Sequence, residues 1–402
     1  MRLSLFVLGL TGVAAATPLA AQQPVTRAQA VAAALSRGAR AAFGRADTAV
    51  AAALLRTARL YPNPLLSATY TKDVPHYHVI ADVPLDVPWL RSARIGTAAS
   101  ARDAARYGFA FERATIRFDV DTTYTRALAA LARARLSRRT AGDADSLLKM
   151  AQLRREVGDV SDLDVRLAAV NAGQLENAAA DDSLAAVEAL LAVQLAMGLP
   201  AAAPTISLAD SLAPPALDSA DTVPAASAEP LPVAAAAASL RSRERALTLA
   251  HRSVLAAPSL QVGVEHGDPT GPGGLLPTVG LSLPVPLFNW NGGEVGQATA
   301  ARDRAQANLE FVRRETGAEL ARAQRSLTLA TARLERARRL LASADRVAAM
   351  SLQAYAEGAV ALPNVLEAER NAREALTRYI DDVAAANNAA AALRLVTASD
   401  QP

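Results

Sequence analysis

Cysteine is absent from the 402-residue chain, which excludes a disulfide framework, a thiolate metal site and a cysteine nucleophile. Aromatic residues are scarce, at 4%, while alanine is everywhere. A thick globular core does not suit that composition, whereas long helices packed closely through small side chains do. A dominant charge is also lacking. The net charge is +3 and falls by one when Arg2 leaves with an export signal, and acidic and basic residues interleave along helical stretches, so nucleic-acid binding gains no support. No nucleophile with its base, phosphate loop or metal-ligand cluster occurs at usable spacing. The chain therefore reads as a non-enzyme without a cofactor or resident metal.

Long apolar runs are missing beyond the N-terminus, and a membrane-spanning helix needs about 20 such residues. At the N-terminus, Arg2 precedes the apolar stretch from Leu3 to Val13, which Thr17-Pro18 interrupts before Leu19-Ala20-Ala21. This is the pattern of a signal peptide over residues 1–21, cleaved before Gln22-Gln23. No cysteine follows it, so a lipoprotein-type lipid on the mature N-terminus is not expected.

Proline breaks helix interiors, so its gaps outline helices. It is missing from 25–61, 89–199, 233–257, 287–362 and 364–401, and it clusters in 62–88, 200–232 and 258–286. Two of those clusters alternate with period two, the mark of strands with two unlike faces. Leu66, Ala68 and Tyr70, then Tyr77, Val79, Ala81 and Val83, interleave with polar residues in a hairpin over 62–88 that turns at Lys72 to His76. Leu260, Val262 and Val264, then Val279, Leu281 and Leu283, do the same over 258–286, with a turn from Gly267 to Gly274. Four strands cannot close a barrel, and an open edge does not survive in lipid, so a membrane reading requires several copies to share one barrel. A soluble hairpin packed on the helices gives the same alternation.

The chain also reads twice, displaced by 200 residues. Pro84, Ile95-Gly96 and Ala101-Arg102-Asp103 have counterparts at Pro284, Val295-Gly296 and Ala301-Arg302-Asp303. Gly158, Val160, Val165 and Asn171 match Gly358, Val360, Val365 and Asn371. Each hairpin is followed by a long helix, from Arg91 to Val157 and from Gly292 to Glu357, which turns at Gly158 or Gly358. The chain then returns from Ser161 towards Leu199 and from Pro363. At 1.5 Å per residue each outward helix runs about 100 Å. Gly142 and Gly317 lie inside these helices and mark expected irregularities. The organisation expected is a first repeat over 22–200 (helix, hairpin 62–88, helical hairpin 91–199), an aperiodic linker over 201–232, and a second repeat over 233–402 (helix, hairpin 258–286, helical hairpin 292–397).

With these pieces in order, the chain resembles the TolC family of outer-membrane efflux proteins over nearly all of its mature length. The resemblance is carried by Tyr61-Pro62-Asn63-Pro64, by Val285-Pro286-Leu287-Phe288, by the turn from Gly158 to Val165, and by Tyr355-Ala356-Glu357-Gly358 through Asn364-Val365-Leu366-Glu367. It implies a mainly α fold with transmembrane β: a homotrimer whose 12-stranded outer-membrane barrel, four strands per protomer, continues as a periplasmic α-helical tunnel. It further implies a passive export duct whose tip docks a periplasmic adaptor and an inner-membrane pump, such as an RND transporter or an ABC exporter. The cargo would be metal cations or drugs; a type I protein secretion duct and a soluble periplasmic coiled-coil scaffold are the alternatives. Carried over by position, the tip, gate and adaptor-contact residues are Gly158, Asp162, Asp164, Tyr355, Gly358, Asn364 and Glu367. Asn364 and Val360 depart from members with aspartate and arginine there, so a charged latch on that pair does not carry over.

Three features leave alternatives open. His76 and His78 lie two apart at the first hairpin tip, which suits a solvated loop better than a two-ligand metal site. Trp89, Phe288 and Trp290 flank strand-to-helix junctions, as a membrane-interface belt or as junction packing. Asp159, Asp162 and Asp164, with Glu357, Glu367 and Glu369, either form an acidic collar that favours cations or cap helices, since Ser161 to Asp164 fits a capping box.

Overall fold

The computed structural model describes residues 23–216, 229–254, 257–267 and 274–399. The expected signal peptide, residues 217–228 of the linker and most of the second hairpin's turn lie outside these. In chain order the elements are β1 (Gln23–Val25), α1 (Arg27–Arg37), α2 (Ala39–Arg59), β2 (Leu65–Tyr70), β3 (Tyr77–Pro84), α3 (Pro88–Glu156), α4 (Asp162–Ala196), β4 (Ile206–Leu208), α5 (Leu231–Arg252), β5 (Ser259–His266), β6 (Leu275–Ser282), α6 (Gly292–Ala356) and α7 (Leu362–Thr397).

The 69-residue α3 and 65-residue α6 are the long helices anticipated, and α4 and α7 pack back along them. Two boundaries move outward because proline is tolerated in a first helical turn, where its missing N–H has no intrahelical partner. Thus α3 begins at Pro88 rather than Arg91, and α5 at Leu231, with Pro232 beside it, rather than at 233. The expected irregularities do not occur: α3 runs unbroken through Gly142 and α6 through Gly317. A lone glycine weakens a helix by only about 1 kcal/mol, and neither position has a heavy atom within 4 Å of where a Cβ would stand. Conversely, the first helix divides at Gly38, where a Cβ would lie 2.3 Å from the Ala34 carbonyl oxygen.

Alanine sets the packing. On α7 the buried positions Val365, Ala368, Ala372 and Ala375, and then Val383, Ala386, Ala389, Leu393 and Val396, recur at steps of three and four, the seam of a coiled-coil partner. Ala323, Leu327, Ala330 and Leu334 of α6 meet part of it. A second cluster joins the N-terminal elements to mid-α3 around Tyr124, whose fully buried hydroxyl donates to the Val25 carbonyl at 2.8 Å. Burial pushes that phenol up to about 12.

The linker is not wholly aperiodic. β4 pairs in parallel with β1, Gln23 opposite Ile206 and Val25 opposite Leu208. Buried Gln194 shapes the approach: its Nε2 donates to the carbonyls of Pro200 at 2.8 Å and Ala203 at 3.0 Å, and its Oε1 accepts from the Thr205 N–H at 2.7 Å. Three-residue strands carry too little alternation to be seen in sequence, and this one depends on a partner 183 positions earlier (206 − 23).

Candidate functional site

The four hairpin strands form one antiparallel sheet in the order β2-β3-β5-β6. Its register fixes which side chains share a face. Leu66 lies opposite Ala81, Ala68 opposite Val79 and Tyr70 opposite Tyr77. Val79 faces Val264, Ala81 faces Val262 and Val83 faces Leu260, while Leu260 faces Leu281 and Val262 faces Val279. Every strand thus turns its apolar set to the same side. Ser67, Thr69, His78, Asp82, Gln261, Glu265 and Thr278 share the other, with Leu65, Ile80 and Leu276 as apolar exceptions.

The distribution of exposure is the reverse of a water-soluble sheet. Val79, Val83, Leu260, Val262, Val264, Val279 and Leu281 are exposed, whereas His78, Asp82, Gln261, Glu265 and Thr278 are half-buried. Among the described residues no helix packs across either face. A soluble sheet buries its apolar side, which this one does not, and an exposed apolar band opposite a polar face suits a wall that meets lipid.

Aromatic rings flank that band at both ends. Where strands meet long helices, Trp89, Trp290 and Phe288 are 52%, 67% and 97% exposed, which argues against junction packing. At the hairpin tips the rings of Tyr70 and Tyr77 lie 5.3 Å apart, and Tyr77 stacks on His266 at 6.2 Å. This second aromatic cluster was missed in sequence, because Tyr70 and Tyr77 read as ordinary members of the alternation. His76 and His78 do not act together. His78 contacts Glu265 at 3.4 Å and the Thr71 hydroxyl at 3.1 Å, while His76 lies 3.3 Å from the Thr71 carbonyl. Among the described residues no three His, Cys, Asp or Glu converge as a metal site.

At the other end of the long helices, Gly158 and Gly358 adopt φ of +80° and +76°, the left-handed region that favours glycine. Each closes its helix in the same way. The Gly158 N–H donates to the Arg155 carbonyl and the Asp159 N–H to Arg154, and Gly358 and Ala359 repeat this with Tyr355 and Ala354, a Schellman arrangement. Gly358→Ala is expected to destabilise the chain by about 1–2 kcal/mol through backbone strain alone; a thermal melt indistinguishable from wild type would contradict this.

The two turns lie against each other. Tyr355, Leu362 and Val365 pack with Leu147, Ala151 and Ala168, and Val360 joins their margin. Arg154 ties the turns together: its Nε donates to Asp159 at 2.7 Å, its Nη1 donates to the Tyr355 carbonyl at 2.8 Å, and its Cζ lies 4.8 Å from the Tyr355 ring centroid. Arg154 went unnoticed in sequence because its partner is 201 residues away.

The tip aspartates have partners within the chain. Asp164 accepts from the Ser161 backbone at 3.1 Å and Ser161 Oγ caps the Asp164 N–H, completing the capping box. Asp162 pairs with Arg155 at 3.0 Å and Arg166 at 2.8 Å; Arg166, then Arg155, holds its carboxyl below the usual range. Glu367 pairs with Arg370 at 3.7 Å, and Asn364 is exposed. Each tip aspartate thus has a capping or ion-pair partner within the chain.

Glu369 differs. Burial, reinforced by Asp143 and Asp345 and opposed by Arg373, pushes its carboxyl up. Its neutral form is thus favoured in the folded chain, so stability is lost as pH rises from its unfolded value through the higher folded one. Glu369→Gln is expected to raise the melting temperature near pH 7 and to lose that advantage below about pH 4. Melts shifted equally at both pH values would exclude the titration.

Residues 225–399 match the family model described as outer membrane efflux protein, and the 200-residue repeat extends the same plan to the first half. The match lies in the second half of the chain and makes that half similar to outer membrane efflux proteins. Over 334 residues it is 26% identical to the cobalt-zinc-cadmium resistance protein CzcC of Cupriavidus metallidurans, covering 80% of this chain and 78% of that protein. The CmeC outer membrane channel of Campylobacter jejuni superposes with a TM-score of 0.77 at 15% identity, over 92% of this chain and 85% of that one. A membrane protein from Pseudomonas aeruginosa gives 0.79 at 19% identity, over 92% and 93%.

Proposed function

We propose that three copies of this chain close a 12-stranded barrel (3 × 4) and a continuous helical tunnel, forming the outer-membrane duct of a tripartite efflux system. The observation that carries this reading is the inside-out sheet, whose exposed apolar face suits lipid and whose edge strands β2 and β6 are free to pair with neighbouring copies. Lipid does not tolerate unpaired edges, and identical heterologous contacts close into a ring. Trp89, Phe288 and Trp290 sit at the periplasmic lipid interface. The turn residues Gly158, Asp162, Asp164, Tyr355, Gly358, Asn364 and Glu367 form the gate and the surface that meets a periplasmic adaptor, and an inner-membrane pump supplies the energy.

Divalent metal cations are the proposed cargo, a reading supported by the likeness to CzcC. Native mass measurement in detergent should give a trimer; a stable, lipid-free monomer in water would overturn the duct. A deletion strain should become sensitive to cobalt, zinc or cadmium, and unchanged tolerance of all three would remove the metal cargo.

A further inference from the structure

The tip aspartates have charged or capping partners, whereas two carboxylates on the sheet have no lysine or arginine paired with them among the described residues. At the tip, Asp159, Asp162 and Asp164 are engaged by Arg154, Arg155, Arg166 and Ser161. On the sheet, none of the four strands contains lysine or arginine, while Asp82 and Glu265 both lie on the polar face. Asp82 stands opposite Gln261, and its Oδ1 is buried with no hydrogen-bond partner among the described residues. Among the described residues Glu265 pairs with His78 alone, at 3.4 Å, a counter-charge solely when that imidazole is protonated. Outside the strands, Lys72 lies in the hairpin turn, and at the junction with α3 Arg91 and Arg94 are engaged by Asp86, at 3.1 and 2.8 Å, and by the carbonyls of Ala58, Arg59 and Leu60.

We propose that Asp82 and Glu265 make the lumen of the barrel itself the cation-selecting segment of the duct. This rests on the trimeric reading, under which they place six carboxylates (2 × 3) around one water-filled bore. No coordination site is implied. Rings of carboxylates in a narrow, low-dielectric passage raise the local concentration of hydrated cations and exclude anions. The two rings lie at different heights: Glu265 is four residues beyond Gln261, the partner of Asp82, which is about 13 Å along a strand.

Reversal potentials across planar bilayers in a potassium chloride gradient test this. The wild-type trimer should favour potassium over chloride by roughly tenfold, and Asp82→Asn with Glu265→Gln should bring the ratio close to one with assembly intact. A second measurement does not depend on that variant folding. Thr278→Cys, a near-isosteric change on the same face of a cysteine-free chain, can be labelled in the assembled channel with thiosulfonate reagents of equal size and opposite charge. The cationic reagent should react several-fold faster. A wild-type channel without cation preference, unchanged selectivity in the assembled double variant, or equal labelling rates would each overturn the inference. Absence of channels or trimers from the wild-type chain would instead overturn the duct reading.

Discussion

Val262→Arg is expected to abolish accumulation of the protein in the outer membrane, whereas Gln261→Arg, one residue away, should still assemble. Val262 is the fourth of the eight residues of β5 and lies on the exposed apolar face between Ala81 and Val279. An arginine at the middle of the lipid face of a barrel costs about 2–4 kcal/mol. Three copies multiply this to roughly 6–12 kcal/mol per trimer (3 × 2–4), comparable with the whole stability of a domain. Gln261 points to the opposite, polar face, where a guanidinium remains in water beside Asp82. Membrane fractionation of the two variants separates the outcomes. Equal accumulation would show that the apolar face does not meet lipid.

Arg154→Ala is expected to loosen the proposed gate without disturbing the barrel. One side chain holds the carboxylate of Asp159 beside the first turn, the carbonyl of Tyr355 before the second, and the face of the Tyr355 ring. Hydrogen bonds to charged groups are among the stronger polar contacts in proteins, and among the described residues no other hydrogen bond joins the two turns directly. Losing the arginine should increase the open fraction on the order of tenfold, seen as larger or longer single-channel openings from correctly assembled trimers. Arg154→Lys should recover little of the closed state, because an ammonium lacks the planar fork that reaches two acceptors at once. Wild-type conductance in the alanine variant would leave Arg154 as a packing residue only.

These two sites differ in how far the sequence foretold them. The alternation that marks Val262 as apolar and Gln261 as polar is local, and the proline gaps, the 200-residue repeat and the glycine turns are local as well. Each follows from a backbone rule that a few neighbouring residues satisfy: no N–H at proline, two faces on a strand, a left-handed φ at Gly158 and Gly358. The helices, the hairpins and the turns were therefore determined by the sequence to within a few residues. Gly142 and Gly317 show where a local rule overreaches, since a weak preference yields to 65 or more residues of cooperative helix.

What local rules do not contain is direction and partnership. Alternation states that a strand has two faces, but not which faces outward; that was decided when β3 paired with β5 across 175 to 189 positions (259 − 84 to 266 − 77) and no helix among the described residues covered the apolar side. The same holds for charge. Asp162 reads as one of several exposed acids until Arg155 is placed 3.0 Å away around the turn, and Arg154 has no visible role until the second repeat brings Tyr355 against it. Electrostatic compensation acts over a few ångströms in space, whatever the distance along the chain. Only the folded arrangement shows the tip aspartates engaged by partners and leaves Asp82 Oδ1 without one among the described residues.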